Sequence, residues 1–332
     1  MNVISSFSGG GLGERGVFRG TIGFANPALA GFAWPLFEAR GEAEGPRLCV
    51  SAGVHVNEVS SIEAAIRLQS LFDPRRMRGT VSIIPLINQP ALYRYTEYAC
   101  PIDGKNINFT FPGRAAGTFS EALCDAIQHD WCAGAACYVD LHGGDLRERV
   151  AKFVLFQRTG DAGHLLNARG LAMCFDADLV VGLAESELAK PGRPPTGFAR
   201  EGRLAVMSEA GANGIIDEES VAFHVEGVLR IARQLGIIEQ APSLYRRQRT
   251  VCDDYLWVTA PADGQFYAEV EPAERVRRGQ RLGVMRNFFG ETVGEIVAPE
   301  TGIVLWRMTH PTLKQGAPAL AIAIEETPRR EA

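Results

Sequence analysis

Three apolar runs of strand type in this chain each hand over to a residue that binds metals or moves protons, and this repetition restricts the fold more than any other feature. Leu48-Cys49-Val50-Ser51-Ala52 is broken by Gly53 and followed by His55 and Glu58. Ser60 to Leu71 then carries apolar residues at helical intervals: Ile62, Ala65, Ile66, Leu68 and Leu71. Ala136-Cys137-Tyr138-Val139-Asp140-Leu141 ends at His142, with Gly143 and Gly144 next, and Arg203-Leu204-Ala205-Val206-Met207-Ser208 ends at Glu209. Strands that alternate with helices form an α/β sheet, and ligands of open α/β sheets bind at the strands' carboxyl ends.

With six histidines and 39 acidic residues, a carboxylate three places after a histidine is expected by chance, so the setting carries the argument. An imidazole and a carboxylate one helical turn apart are neighbours and can reach one cation. A second imidazole from another strand end completes three ligands: His55, Glu58 and His142. Three protein ligands with an open fourth position are the layout of a catalytic zinc site. Two satisfied core histidines are the plainer alternative, and the strand-end setting of both argues against it. Glu209, at the end of an apolar strand, reads as a general base if burial and a dication tune it. A solvated strand-end glutamate is the alternative.

The 332 residues suffice for two domains, and a hydrophobic fraction of 46% supports a large core. A net charge of -5 gives no electrostatic footprint for nucleic acid, so a small molecule is the expected partner. Met1 to Ser8 lacks the basic and apolar regions of a signal peptide, and no apolar run approaches a membrane span. Seven cysteines without paired spacing read as reduced thiols of a cytoplasmic protein. Gly11-Leu12-Gly13-Glu14-Arg15-Gly16 matches a dinucleotide glycine pattern, but Val17 to Ile22 alternates as a strand where a helix is required, so a glycine-rich hairpin is the better reading.

Thr80 to Ile87 reads as another strand, stopped by the turn signal Asn88-Gln89-Pro90-Ala91. Cys100 to Gly113 is a long stretch of turn formers, helices are expected from about Ser120 to Trp131 and from about Glu218 to Leu235, and long irregular loops inside domains are usually functional. Together Gly53 to Glu58, Asn88 to Ala91, Asp103 to Asn108 with Phe111-Pro112-Gly113, Asp140-Leu141-His142 and Ser208 to Gly211 resemble the succinylglutamate desuccinylase/aspartoacylase family, among zinc carboxypeptidase-like hydrolases. The resemblance implies a three-layer α/β domain with a mixed sheet. It implies one zinc on His55, Glu58 and His142, Glu209 as the base for an activated water, and Asn108 as a substrate-positioning amide. Such enzymes hydrolyse the amide of an N-acylated amino acid. Where the family places an arginine that grips the substrate carboxylate, this chain has Phe109, and a second arginine would fall near Glu97 or Tyr98. Arg94 is the nearby cation that could substitute. Val56 stands where the motif has glycine and narrows the room beside the metal.

Beyond the catalytic domain, expected over 1–240, Ala260-Pro261-Ala262-Asp263-Gly264 recurs as Ala298-Pro299-Glu300-Thr301-Gly302. Two strand-rich halves make a small β-sandwich or barrel-like domain over 250–332, resembling the biotinyl/lipoyl fold. The hairpin Met285 to Gly290 has no lysine to carry a prosthetic group, and Glu239 to Thr250 reads as the linker. The expected function is a zinc-dependent deacylase. An esterase or carboxypeptidase of the same fold and a non-catalytic zinc-binding homologue are the alternatives, and a homo-oligomer is compatible with the sequence.

Overall fold

The computed structural model describes residues 3–8, 15–94, 96–239 and 249–326, the first of these as backbone. The chain opens with β1 (Val3–Ser8), β2 (Gly16–Gly23) and β3 (Trp34–Arg40), an antiparallel run. β4 (Ala43–Ala52), α1 (Val59–Leu68), β5 (Arg78–Ile84), α2 (Gln89–Arg94), α3 (Phe119–Asp125) with a π-helical extension to Trp131, and β6 (Cys137–His142) follow. β7 (Glu148–Gln157), α4 (Ala162–Ala172), β8 (Leu179–Leu183), α5 (Pro194–Ala199), β9 (Ala205–Ala212) and α6 (Glu218–Gln234) come next. From Thr250 the elements are strands: β10 (Thr250–Thr259), β11 (Gly264–Ala268), β12 (Arg275–Val276), β13 (Arg281–Arg286), β14 (Thr292–Val297), β15 (Gly302–Met308), β16 (Thr312–Leu313) and β17 (Pro318–Glu325).

The sheet runs β3-β5-β4-β6-β9-β7-β8 and is mixed: β5, β4, β6 and β9 are parallel neighbours, while β7 lies antiparallel to β9. Alternation along β4 sends Leu48, Val50 and Ala52 to a core under α1 and α6, and Cys49 to a second core under α3 and α5 with Trp34, Tyr138 and Phe198. That makes the three layers expected from the sequence. The helix from Ser120 is continued to Trp131 by its π-turn, and the 218–235 helix is α6. Asn88 to Ala91 does not end in a loop: Pro90, which needs no backbone donor in a first turn, helps start the short α2. Glu209 is not the last residue of its strand. β9 continues to Ala212 because β7 pairs along it as far as Arg149 opposite Ala212.

The glycine pattern at 11–14 and most of the linker, 240–248, lie outside the described residues; Gly16 opens β2, a strand. The seven cysteines are buried thiols. No described helix is long and apolar enough to cross a membrane.

The strands after Thr250 hydrogen-bond across the expected domain boundary. One edge of β7 is shared: Phe153 to Gln157 pairs with β8, and Glu148 to Val150 pairs with β15. Because β8 pairs with β10, β10 with β17 and β17 with β15, the five strands β7-β8-β10-β17-β15 close into a ring. Every second side chain faces its interior: Ala151, Phe153 and Leu155; Leu179, Val181 and Leu183; Ala321 and Ala323. The opposite faces of β15 and β17, with Val304, Leu320 and Ile322, pack on β14-β13-β11-β16 around Phe266, Leu282 and Met285. Both copies of the repeat open a strand at their glycine, Gly264 in β11 and Gly302 in β15. The hairpin between β13 and β14 presents Phe288 and Phe289 to solvent.

Ending the chain before Thr250 would remove three of the five ring strands, leave part of the β7 edge and the β8 edge unpaired, and expose the ring interior. Such edges aggregate. Expression of residues 1–249 is expected to give insoluble protein, and a soluble, cooperatively melting fragment by circular dichroism would contradict this.

Candidate active site

β4 ends at Ala52, and residues 53–58 turn the chain into α1, which begins directly after Glu58. This brings His55 Nδ1 to 2.6 Å from Glu58 Oε1. Glu58 Oε2 lies 2.9 Å from Nδ1 of His142, the last residue of β6, and accepts the Gly143 N–H at 3.0 Å. One atom from each of His55, Glu58 and His142 lies within 4.8 Å of the others, and all three residues are buried.

The far nitrogens are held from behind. His55 Nε2 is 3.1 Å from Asn106 Oδ1, and His142 Nε2 is 3.0 Å from Asp140 Oδ2. Asp140 is itself fixed by the Ser51 hydroxyl at 2.5 Å, which touches the Tyr138 hydroxyl at 2.5 Å. Carboxylates and carbonyls behind imidazoles orient metal ligands in this way, and here they leave both Nδ1 atoms toward Glu58. His142 Nδ1 makes no aligned hydrogen bond despite its proximity to Glu58. Two imidazoles and a carboxylate that meet in a buried corner, with His142 Nδ1 left unsatisfied, suit a divalent cation such as zinc. Burial alone would push the Glu58 carboxyl up, but His55 and then His142 outweigh it and hold it at about 2. A Cβ at residue 143 would lie 2.3 Å from the Ala210 carbonyl oxygen, so only glycine lets the chain pass β9 here and donate to Glu58.

Glu209 is the register partner of His142 on β6 and of Phe153 on β7. Burial, and then the Glu58 charge, push its carboxyl well above the usual range. It lines a cavity of about 330 Å³ together with His55, Glu58, Asn108 and Phe109. Asn108 is buried, and its side-chain oxygen has no partner. Arg94 does not join them: it lies exposed at the end of α2 and away from the cavity lining, because the short helix carries it outward. Val56 does not line the cavity either.

The cavity's guanidiniums are Arg147 and Arg193, which the sequence reading missed. Arg193 is 8% exposed, stands directly before α5, and stacks 4.4 Å above the Phe109 ring centroid and 5.5 Å from that of Tyr255, whose hydroxyl it also contacts. The ring at Phe109 therefore serves as a platform for a cation from elsewhere in the chain. Arg147 pairs with Glu97, near the place where the family's second arginine would fall. Pro194-Pro195 marks a helix start, a signal that could have drawn attention to Arg193.

Residues 44–235 match the model of the succinylglutamate desuccinylase/aspartoacylase catalytic domain. The chain belongs to this family. It is 26% identical over 240 residues, 71% of this chain and 69% of the relative, to an N-alpha-acetyl-L-2,4-diaminobutyric acid deacetylase of Halomonas elongata. The fold is similar to that of the ectoine utilization protein EutE (DoeB) from Ruegeria pomeroyi, with TM-score 0.83, 24% identity, and 96% of this chain and 98% of that one covered. It is equally similar to a succinylglutamate desuccinylase/aspartoacylase from Rhodobacter sphaeroides, with TM-score 0.83, 21% identity, and 98% and 99% covered.

Two measurements test this geometry. Gly143→Ala should destabilise the protein by roughly 1–3 kcal/mol in denaturant titrations, through the clash with β9 and the disturbed Glu58 contact. An unchanged midpoint would contradict the close approach. Burial pushes the Glu148 carboxyl up to about 7, with the Glu58 charge adding to it and the Tyr98 hydroxyl opposing. The folded state thus favours protonated Glu148, a contribution complete below the unfolded carboxyl range and lost as pH rises through 7. In chelator-treated protein, Glu148→Gln should gain stability relative to the wild type by roughly 1–3 kcal/mol between pH 5 and pH 8. A gap that does not move with pH would place the titration elsewhere.

Proposed function

We propose that this protein is a zinc-dependent deacylase that hydrolyses the amide of a small N-acylated amino acid. The observation that carries the reading is the buried His55-Glu58-His142 corner, with both Nδ1 atoms turned inward, beside the buried carboxyl of Glu209. Membership of a family of amide-cleaving hydrolases and likeness to a curated deacetylase support the reaction class.

His55, Glu58 and His142 would hold the metal, with Asn106 and Asp140 keeping the imidazoles in the ligating orientation. Bound there, zinc would polarise the scissile carbonyl and lower the pKa of a water. Glu209 takes a proton from the attacking water and returns it to the departing amine nitrogen. Its raised proton affinity suits the first step. The unpartnered Asn108 side-chain oxygen is available to the N–H of the amide. Arg193 and Arg147 both line the cavity with an unpartnered Nε, and Arg193 is the better placed cation for a substrate carboxylate, since Arg147 already holds Glu97. Although Phe109 replaces the family's arginine, Arg193 stacked on that ring offers a cation there, so a carboxylate fits.

Purified protein is expected to bind about one zinc per chain, and His55→Ala or His142→Ala should abolish tight binding. Glu209→Gln should keep the metal and lower kcat by about 10²–10⁴-fold. Atomic absorption on the three variants, with a screen of acylated amino acids, checks both; metal loss in Glu209→Gln would move that residue into the coordination shell. Arg193→Met should raise KM for carboxylate-bearing substrates roughly ten- to a hundredfold, while an unchanged KM would remove Arg193 from substrate binding.

A further inference from the structure

The proposed chemistry uses one end of the cavity, and the other end is the mouth of the five-stranded ring. Phe153, the register partner of Glu209, begins an apolar wall that continues through Leu155 and Leu305 to the small side chain of Ala321. Trp257 and Trp306 close the mouth, their ring centroids 5.2 Å apart and nearly perpendicular. A bulge between Val304 and Trp306 lets Leu305 and Trp306 both join the ring's apolar cluster. Phe153, Leu155, Leu305 and Trp306 are nearly buried, yet Trp257 is 46% exposed, an aromatic face at the edge of the opening. A closed ring of few strands is either filled by its own side chains or holds a ligand. Here alanines at 151, 321 and 323 stand among the interior positions, and the cavity reaches Ala321.

Resting on the deacylase reading of the same site, we propose that the substrate carries an apolar group of several carbons, branched or aromatic, which seats in this mouth against Trp257 and Trp306. A carboxylate or a hydroxyl placed there would be desolvated with no partner among Phe153, Leu155, Leu305 and Ala321, and that placement is unfavourable. An apolar group would instead remove both its own surface and the wall's from water. Arg193, the cation proposed to hold a substrate carboxylate, lines the same cavity, so one molecule can engage both ends.

The test titrates zinc-loaded Glu209→Gln protein, which should bind without turnover, with two series. One varies the acyl half as acetate, butanoate and hexanoate; the other varies the amine half as N-acetyl derivatives of aspartate, alanine, leucine and phenylalanine. Binding is read by calorimetry and by quenching of tryptophan fluorescence. In whichever series enters the mouth, affinity should rise about fourfold per added methylene until the chamber is full, and that series identifies the half of the substrate concerned. Affinity that is flat or falling with apolar size in both series overturns the inference, whichever N-acetyl compound is tightest. Ala321→Leu, which fills the chamber, should abolish the gain for the larger members. Trp257→Ala, at a half-exposed position that tolerates truncation, should reduce it about tenfold; a folded variant of either kind with the full size dependence places the apolar group elsewhere and overturns the inference. Size-graded binding in the absence of any turnover by wild-type enzyme would sink the deacylase reading while leaving the apolar chamber established.

Discussion

The backbone hydrogen bonds along one edge of β7 decide more of this molecule than any other set of contacts. A strand edge normally takes one partner, and this one takes two in succession, β15 on its first residues and β8 on its last. The other edge pairs with β9 and carries Phe153 beside Glu209. A single strand therefore joins the α/β sheet that carries the Glu209 carboxyl to the ring that supplies the apolar wall. Separating the two would strip a hydrogen-bonding edge and an apolar interior at once, which is why the chain after Thr250 belongs to the cavity and not to an appendage.

Within that frame, the charge balance of the corner rests on Glu58. A lone buried carboxylate is strongly unfavourable, and two buried imidazoles on either side of it make ionisation tolerable. Asn106 behind one ring and Asp140 behind the other settle which nitrogens face inward. Glu209 lies one strand further on, where burial and then the Glu58 charge raise its proton affinity against the opposing charges of His142 and Arg193. Two glutamates of the same chemistry are thus driven in opposite directions by their neighbours, one toward the role of a permanent anion and the other toward that of a proton carrier.

The substitution of Phe109 for an expected cation shows how far a linear reading reaches. The sequence shows that position 109 has no charge and offers Arg94 as the nearest replacement in the chain. Distance along the chain is a poor guide to distance in space for a side chain on a cavity wall. The guanidinium over that ring belongs to Arg193, 4.4 Å from the ring centroid, and Arg147 reaches Glu97 from the turn directly before β7. Each of these pairings depends on sheet order, which no local spacing encodes.

By itself the sequence determined what is local. Continuous apolar runs placed β4, β6 and β9, and helical periodicity placed α1 and α6. His55 and Glu58 were legible as neighbours because one turn of backbone brings them together, and the ends of two apolar strands marked His142 and Glu209. The tertiary structure alone decided what depends on pairing over long distances: the continuation of β9 past Glu209, the arrival of Arg193 over Phe109, and the closure of β7, β8, β10, β17 and β15 into a ring. The physical reason is that periodicity reports which face of a strand is apolar, while the identity of the strand beside it is set by hydrogen bonds between segments far apart in the chain.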